Sequence, residues 1–388
     1  MTKTHILFMP SLMFGVFSIL TTELGAMGVI PIIAEEFNVS VADAGWVVSL
    51  FALIVAFTAP ITPLLAAKFN AQKVMLICTA VFSLSSLAAA FTTNFLLLLF
   101  LRAIPAFFHP VYCALSFSVA AKSVPESEAA KATSKIFMAV SAGMTLGIPF
   151  TSYIASKTSL QASFIFFAVI NAIAFVTTLF FVKSKAGSKA KSQKRQLYIL
   201  VKPIVWISFA TVIFSMGAIS GFYSYMSEFL LSVTKLDFTL ISITLFIFGL
   251  SSVLGNFLAG KLLTSKPHQT LFITPLIMLV LYSALFFFAE FSTATISILA
   301  ILGIFSGILN SGAHFMLTNP VPRAAEFANG LFISTANIGT SLGTVLCGLF
   351  ITLEGSKFSV LAPICLIIAT IIMIYIRKIT LMKSKYKD

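Results

Sequence analysis

Thr21-Thr22-Glu23-Leu24-Gly25-Ala26-Met27-Gly28-Val29-Ile30-Pro31 decides how the rest of the chain reads. It lies in the second half of an apolar run from about 7 to 33. Roughly 20 apolar residues suffice to cross a bilayer, so this run reads as a membrane-spanning helix. Glu23 falls about two-thirds of the way across it. Holding a charge near the bilayer centre costs about 2.5–3.5 kcal/mol on insertion scales, so such a residue is expected to face a bundle interior or a wet cavity. A carboxyl that can be neutral or charged inside the membrane is what proton-coupled transport needs. The plainer alternative is an acid that only pairs with a neighbouring helix.

The composition agrees with that reading. The 388 residues are 59% hydrophobic and 10% charged, with 41 Phe and a mean hydropathy of +1.05. So few charges could not cover a soluble surface, so the class is polytopic membrane protein. The first run is too long for a signal-peptide core and is expected to be retained. Cys78, Cys113, Cys347 and Cys365 all sit in apolar runs without metal-ligand spacing, and read as packing residues rather than disulfides or ligands.

Twelve spans are predicted, at about 7–33, 44–67, 74–93, 95–120, 136–156, 161–182, 203–231, 237–260, 269–289, 292–317, 327–352 and 358–376. With the amino terminus inside, 21 of the 25 basic residues fall in cytoplasmic segments. Only Lys157, Lys235 and Lys357 fall in outer loops, and Arg102 is left in the membrane. That asymmetry predicts a multi-pass membrane protein with both termini cytoplasmic. The net charge of +13 then reports topology and contact with anionic lipid headgroups. Nucleic acid is not an expected partner.

The run from Lys183 to Arg195 is the longest polar stretch and reads as a basic linker. The predicted organisation is a six-helix bundle over 1–182, a cytoplasmic linker over 183–202, a second bundle over 203–377 and a basic tail over 378–388. The halves repeat at a nearly constant offset: Lys68 and Lys261 are 193 apart, Pro125 and Pro320 are 195 apart, and Gly143 and Gly339 are 196 apart. The fold class is therefore all-α, with twelve transmembrane helices in two pseudo-symmetric six-helix bundles.

The twelve acids sort by depth. Glu126, Glu128, Glu326 and Asp388 are expected on the cytoplasmic side. Glu35, Glu36, Asp43, Glu228, Asp237, Glu290 and Glu354 are expected at or near the outer surface, leaving Glu23 alone deep in the membrane. Arg102 is about eight residues into span 4, or about 10 Å deep at 1.5 Å per residue. His109 follows seven residues later, on the same helical face. Acid, guanidinium and imidazole thus converge on one layer. Arg102 stays protonated and is expected to favour an ionised Glu23, and His109 can relay a proton near neutral pH. The plainer readings are a structural ion pair or helix-end clamp for Arg102 and a hydrogen-bonded packing role for His109.

Applying the offset maps Glu23, Arg102 and His109 onto about Gly217, Ile296 and Gly303, so the second half carries no equivalent charges. It is expected to supply mostly substrate wall, with Phe222, Tyr223, Tyr225, Asn256, Asn310, His314 and Asn337 as candidates. Gly143-Met144-Thr145-Leu146-Gly147-Ile148-Pro149 and Gly339-Thr340-Ser341-Leu342-Gly343 place small residues four apart in spans 5 and 11. Such pairs let helices approach closely, and their matched positions make Gly143, Gly147, Pro149, Gly339 and Gly343 candidates for a gate or hinge. Trp46 and Trp206 open their spans as interfacial anchors. No Walker motif, zinc motif or nucleophile elbow is present, so neither ATP-driven pumping nor enzymatic chemistry is expected, with no catalytic residue, metal or organic cofactor.

With these residues in view the chain resembles the major facilitator superfamily over nearly all of 7–376. More narrowly, it looks like the bacterial drug:proton antiporter branch that includes sugar, purine and chloramphenicol efflux proteins. The match is carried by Thr22-Glu23-Leu24 leading to Gly28-Val29-Ile30-Pro31-Ile32-Ile33-Ala34, then Ala44-Gly45-Trp46-Val47-Val48 and Ala59-Pro60. Arg102 with His109 looks like the branch's fourth-helix arginine motif, and Gly147-Ile148-Pro149 is similar to its fifth-helix antiporter motif. Gly255-Asn256 and Asn337-Ile338-Gly339 resemble its patterns in helices eight and eleven. The chain departs from the superfamily in the loop after span 2, where Ala67 stands for an aspartate in Pro63-Leu64-Leu65-Ala66-Ala67-Lys68-Phe69-Asn70-Ala71-Gln72-Lys73. Pro110 and Thr151 each replace a glycine.

The resemblance implies a monomeric exporter of a small organic molecule that works by alternating access, with the proton as coupling ion and Glu23 as its carrier. The rival readings are an uncoupled facilitator or exchanger for sugars or nucleosides, and a transporter-like membrane sensor or scaffold.

Overall fold

The computed structural model describes residues 3–66, 68–125, 128–182, 203–318 and 325–385. Ala67, the 183–202 linker, Pro320 and the end of the tail lie outside them. Twelve helical spans are long and apolar enough to cross a membrane: Leu7–Glu36, Val41–Thr58, Ala71–Ala90, Phe95–Lys122, Lys131–Lys157, Leu160–Phe181, Pro203–Ser232, Phe238–Ser265, Pro267–Phe287, Ser292–Thr318, Gly330–Glu354 and Ser356–Thr380. They are numbered spans 1 to 12 below. No strand occurs among the described residues.

Polar caps fix where several spans begin. The side chains of Asn70, Asn94 and Ser159 accept the backbone N–H groups of Lys73, Leu97 and Ala162 at the starts of spans 3, 4 and 6. Asp237 accepts from Thr239 and Leu240 at the start of span 8. Each cap gives a partner to an N–H that the helix leaves free. Phe257, Leu96 and Phe287 are at least 74% exposed. That surface suits hydrocarbon rather than water. Trp46 and Trp206 are exposed as well, as interfacial anchors would be.

The chain forms two compact units: 1–39 with 46–191, and 40–45 with 192–388. The first is centred on Leu12, Val16, Ile19, Phe51, Val55, Phe82, Tyr112 and Ile136. There, spans 1 and 5 approach so closely that a Cβ on Gly147 would meet the Thr21 Cα at 2.9 Å, and one on Gly143 would meet the Leu20 Cβ at 2.7 Å. In the second unit, spans 7 and 11 touch backbone to backbone. A Cβ on Gly343 would lie 2.0 Å from the Gly217 carbonyl oxygen, and one on Gly339 2.4 Å from that of Ile213. The glycine pairs therefore pack helices within each unit. Pro149 is accommodated inside the continuous helix Ala129–Lys157.

Spans 1, 4 and 7 depart from regular helix at places that bear on the site. Span 1 tightens into a 3-10 turn at Ala26–Val29 before restarting at Ile30–Glu36, where Pro31 supplies no N–H. Span 4 breaks between Phe95–Ala106 and His109–Lys122, because Pro105 and Pro110 each remove a backbone donor. The two-turn spacing from Arg102 to His109 is thus interrupted rather than running along one straight helix. Span 7 widens into a π turn at Gly217–Gly221.

Candidate functional site

The irregular turn of span 1 is where the first unit's charges meet. Glu23 sits three residues before the 3-10 turn. His109, the first residue after the break in span 4, brings its Nε2 to 2.9 Å from Glu23 Oε2. Both side chains are largely shielded, at 8% exposure for His109 and 11% for Glu23. Cys113, one turn on, places its Sγ 3.7 Å from the same Nε2. The other ring nitrogen, Nδ1, is buried without a hydrogen-bond partner. The imidazole's hydrogen bond to the acid therefore lies along the Nε2 to Oε2 line. With Glu23 ionised, Nε2–H donates to the carboxylate; with Glu23 protonated, its O–H donates to Nε2.

Arg102 reaches the same layer but not the carboxylate. Its Nη1 donates to the Thr22 carbonyl oxygen at 2.7 Å and its Nη2 to that of Glu23 at 3.0 Å. The guanidinium fork is spent on span 1's backbone just ahead of the 3-10 turn. Backbone carbonyls keep a spare lone pair there, and the regular bonding pattern is disturbed. Of the plainer readings of Arg102, the geometry is that of a clamp on the backbone rather than of an ion pair with the Glu23 carboxylate.

Two further groups complete the site. Phe51, buried on span 2, lies 5.2 Å under the Arg102 guanidinium and meets the His109 ring edge-on at 6.1 Å. It thereby meets the Arg102 guanidinium with its face and the His109 ring in an edge contact. Asn171 of span 6 is fully buried and donates to Thr22 Oγ1 at 2.7 Å and to the Phe167 carbonyl at 2.8 Å, while Ser18 donates to its Oδ1 at 3.3 Å. Neither was a sequence-based candidate. Phe51 is one of 41 phenylalanines, and Asn171 carries no charge or motif; a polar side chain in an apolar run was its only signal.

The second unit's candidates scatter. Phe222 and Tyr225 are each about 1% exposed. Phe222 is wedged against the rings of Phe229 and Tyr282, and the Tyr225 hydroxyl donates to the Ala42 carbonyl at 3.4 Å. In this conformation neither offers a surface to a ligand. Tyr223 is half-buried against Phe248. Asn256 accepts from Ser311 at 2.9 Å, Asn337 donates to its own helix at Ile333, and His314 meets Phe332 edge-on. Asn310 is half-buried. These five keep part of their surface open.

Three other residues differ in burial from what position along the chain suggests. Glu228, expected towards the outer membrane surface, is buried near the end of span 7. Arg377, one residue past the predicted end of span 12, is buried in that helix, where it donates to Ser208 Oγ at 3.3 Å and the Met316 carbonyl at 3.1 Å. Cys365 is exposed, unlike the other three cysteines.

Twelve apolar spans with a shielded acid–imidazole pair inside one unit are the marks of a polytopic membrane protein. The family comparison agrees, with the Major Facilitator Superfamily matching over residues 12–322. The chain belongs to that superfamily. It is 28% identical over 351 residues to the uncharacterized MFS-type transporter YtbD of Bacillus subtilis, covering 89% of each chain. It is 29% identical to the inner membrane transport protein YdhP of Escherichia coli K12, covering 88% of each. A probable sugar efflux transporter of Helicobacter pylori (strain ATCC 700392 / 26695) is 23% identical, with 84% of this chain and 83% of that one covered. Among solved structures, a bacterial homologue of the human lysosomal transporter Spinster superposes with a TM-score of 0.81 at 16% identity, covering 99% and 98%. That likeness speaks for the fold alone. Apolar spans and bacterial relatives together make this a multi-pass inner membrane protein.

Proposed function

We propose that the protein is a proton-coupled antiporter that exports a small organic molecule by alternating access, with Glu23 carrying the coupling proton. The observation that supports this is the 2.9 Å contact between Glu23 and His109 inside an apolar bundle. A shielded acid is costly to hold charged, and a direct imidazole partner gives its proton somewhere to go without a bulk-water path. Protonation from outside would neutralise Glu23 and favour outward release of substrate. Loss of that proton towards the cytoplasm would reset the cycle. Arg102 and Phe51 hold the geometry, the first by gripping span 1's backbone and the second by filling the space beneath both cations. The close glycine contacts of spans 1 and 5 and of spans 7 and 11 let each bundle move as a unit.

Efflux is favoured by the H. pylori relative's name and by the resemblance of Thr22-Glu23-Leu24 and Gly147-Ile148-Pro149 to the antiporter branch. The substrate is read as a small neutral or cationic organic molecule, contacted in the second unit by Tyr223, Asn256, Asn310, His314 and Asn337. Protein in liposomes loaded with a pH-sensitive dye tests this, with drugs, pentoses and nucleosides added one at a time. Antiport predicts internal pH change triggered by one compound class. Labelled compound crossing with no proton movement would overturn it in favour of a facilitator.

A further inference from the structure

The second unit has no counterpart of Glu23 on the repeat, yet it holds the one acidic residue that is buried outright among the described residues, Glu228. It sits one turn before the end of span 7. Its Oε1 accepts two hydroxyl hydrogens, from Ser232 of its own helix at 2.5 Å and from Ser356 at 2.8 Å. Ser356 is delivered by the turn that joins spans 11 and 12, where Gly355 adopts φ +96°. That left-handed conformation is open to glycine and strained for other side chains. The Ser359 hydroxyl donates back to the Ser356 carbonyl at 2.7 Å and steadies the turn.

No cation completes this site among the described residues. Lys357, next to Ser356, points instead to the exposed Glu290 at 3.0 Å and lies 5.6 Å over the Phe286 ring. The other charged groups on neighbouring segments are occupied or outward. Asp237 caps span 8, Asp43 accepts from Ser40 at 2.6 Å, and Lys235 and Glu354 are exposed. Lys261 and Lys266 lie at the far end of span 8.

We propose that Glu228 is a second proton-binding site, carried by the second unit and gripped between the end of span 7 and the connection from span 11 to span 12. Burying a lone charge is costly unless it is paired, and here the only partners are neutral hydroxyls. Hydroxyls suit a group that changes charge, because they rotate between donating and accepting while an ammonium cannot. With Glu228 ionised, both serines donate to Oε1, as observed. With a proton taken from water onto Oε2, Ser232 can turn its hydrogen to the helix carbonyl four residues back, as Ser224 does to Ser220 at 2.8 Å. One proton enters one carboxyl and no heavy atom need move.

This site does not depend on Glu23, so its test uses the Glu23→Gln protein. Infrared difference spectra, acidic minus alkaline, would be taken on the full chain in lipid bilayers. A protonated-carboxyl band is expected that disappears in Glu23→Gln/Glu228→Gln and shifts in Glu23→Gln/Ser356→Ala, where one hydroxyl donor is lost. Identical spectra in all three proteins would overturn the proposal. Should Glu228→Gln fail to fold, the Ser356→Ala protein decides alone: a shifted band supports the site, and an unmoved spectrum overturns it.

Discussion

Spans 1 and 7 are repeats of one another, and each is irregular at the corresponding place. Span 1 tightens to a 3-10 turn at Ala26–Val29, and span 7 loosens to a π turn at Gly217–Gly221. A side chain from another span latches each. Arg102 donates to the carbonyls of Thr22 and Glu23, and the Tyr282 hydroxyl donates to the Ala218 carbonyl at 3.0 Å. What differs is charge. The first latch is a guanidinium beside a titratable pair; the second is a neutral phenol among glycines in backbone contact. The repeat thus kept the mechanical irregularity in both units, and set the acid–imidazole pair in only one.

Three substitutions would break or sharpen that comparison. The largest effect is expected from Gly343→Leu. Its new side chain would enter space held by Gly217's backbone, 2.0 Å from the first added carbon. Backbone cannot step aside as a side chain can, so overpacking is expected to cost more than about 3 kcal/mol. Thermal melting of the purified protein in detergent reads this out, and a melting point like wild type would mean that spans 7 and 11 are not held by that contact.

Arg102→Leu comes next. It removes two charge-assisted hydrogen bonds, each typically about 1.5–3 kcal/mol, but also relieves a buried cation. A net loss of about 2–3 kcal/mol in the same melting experiment is expected. Arg102→Lys should recover only part of it, because one ammonium lacks the fork that meets two carbonyls. Full rescue by lysine would show that charge rather than geometry is what matters. The smallest effect belongs to Tyr282→Phe, which deletes one neutral bond at about 1 kcal/mol. A loss as large as that of Arg102→Leu would erase the distinction between the two latches.

Much of this was legible before any coordinates. Glu23 stood out because it is one charge in a long apolar run, and helical rise placed Arg102 and His109 at its depth. Carbonyl partners carry no sequence signal, so which backbone atoms Arg102 grips could not be read from the sequence. The break in span 4 was not foreseen, because Arg102 and His109 were placed on one continuous helix, although Pro105 and Pro110 each remove a backbone donor there. The burial of Glu228 was not foreseen, for a different reason. Distance along a span measures depth in the membrane, whereas burial depends on what folds over the residue, here a turn some 128 positions away. Arg377 was misjudged likewise, because span 12 continues past the point where hydropathy falls.

The central claim is that the coupling proton resides on Glu23 beside His109. The most direct measurement is proton release when substrate is added to the purified protein in weakly buffered detergent solution. The account predicts that wild type releases protons in proportion to substrate bound, while Glu23→Gln binds the same compound and releases none. Equal release from both proteins would contradict it.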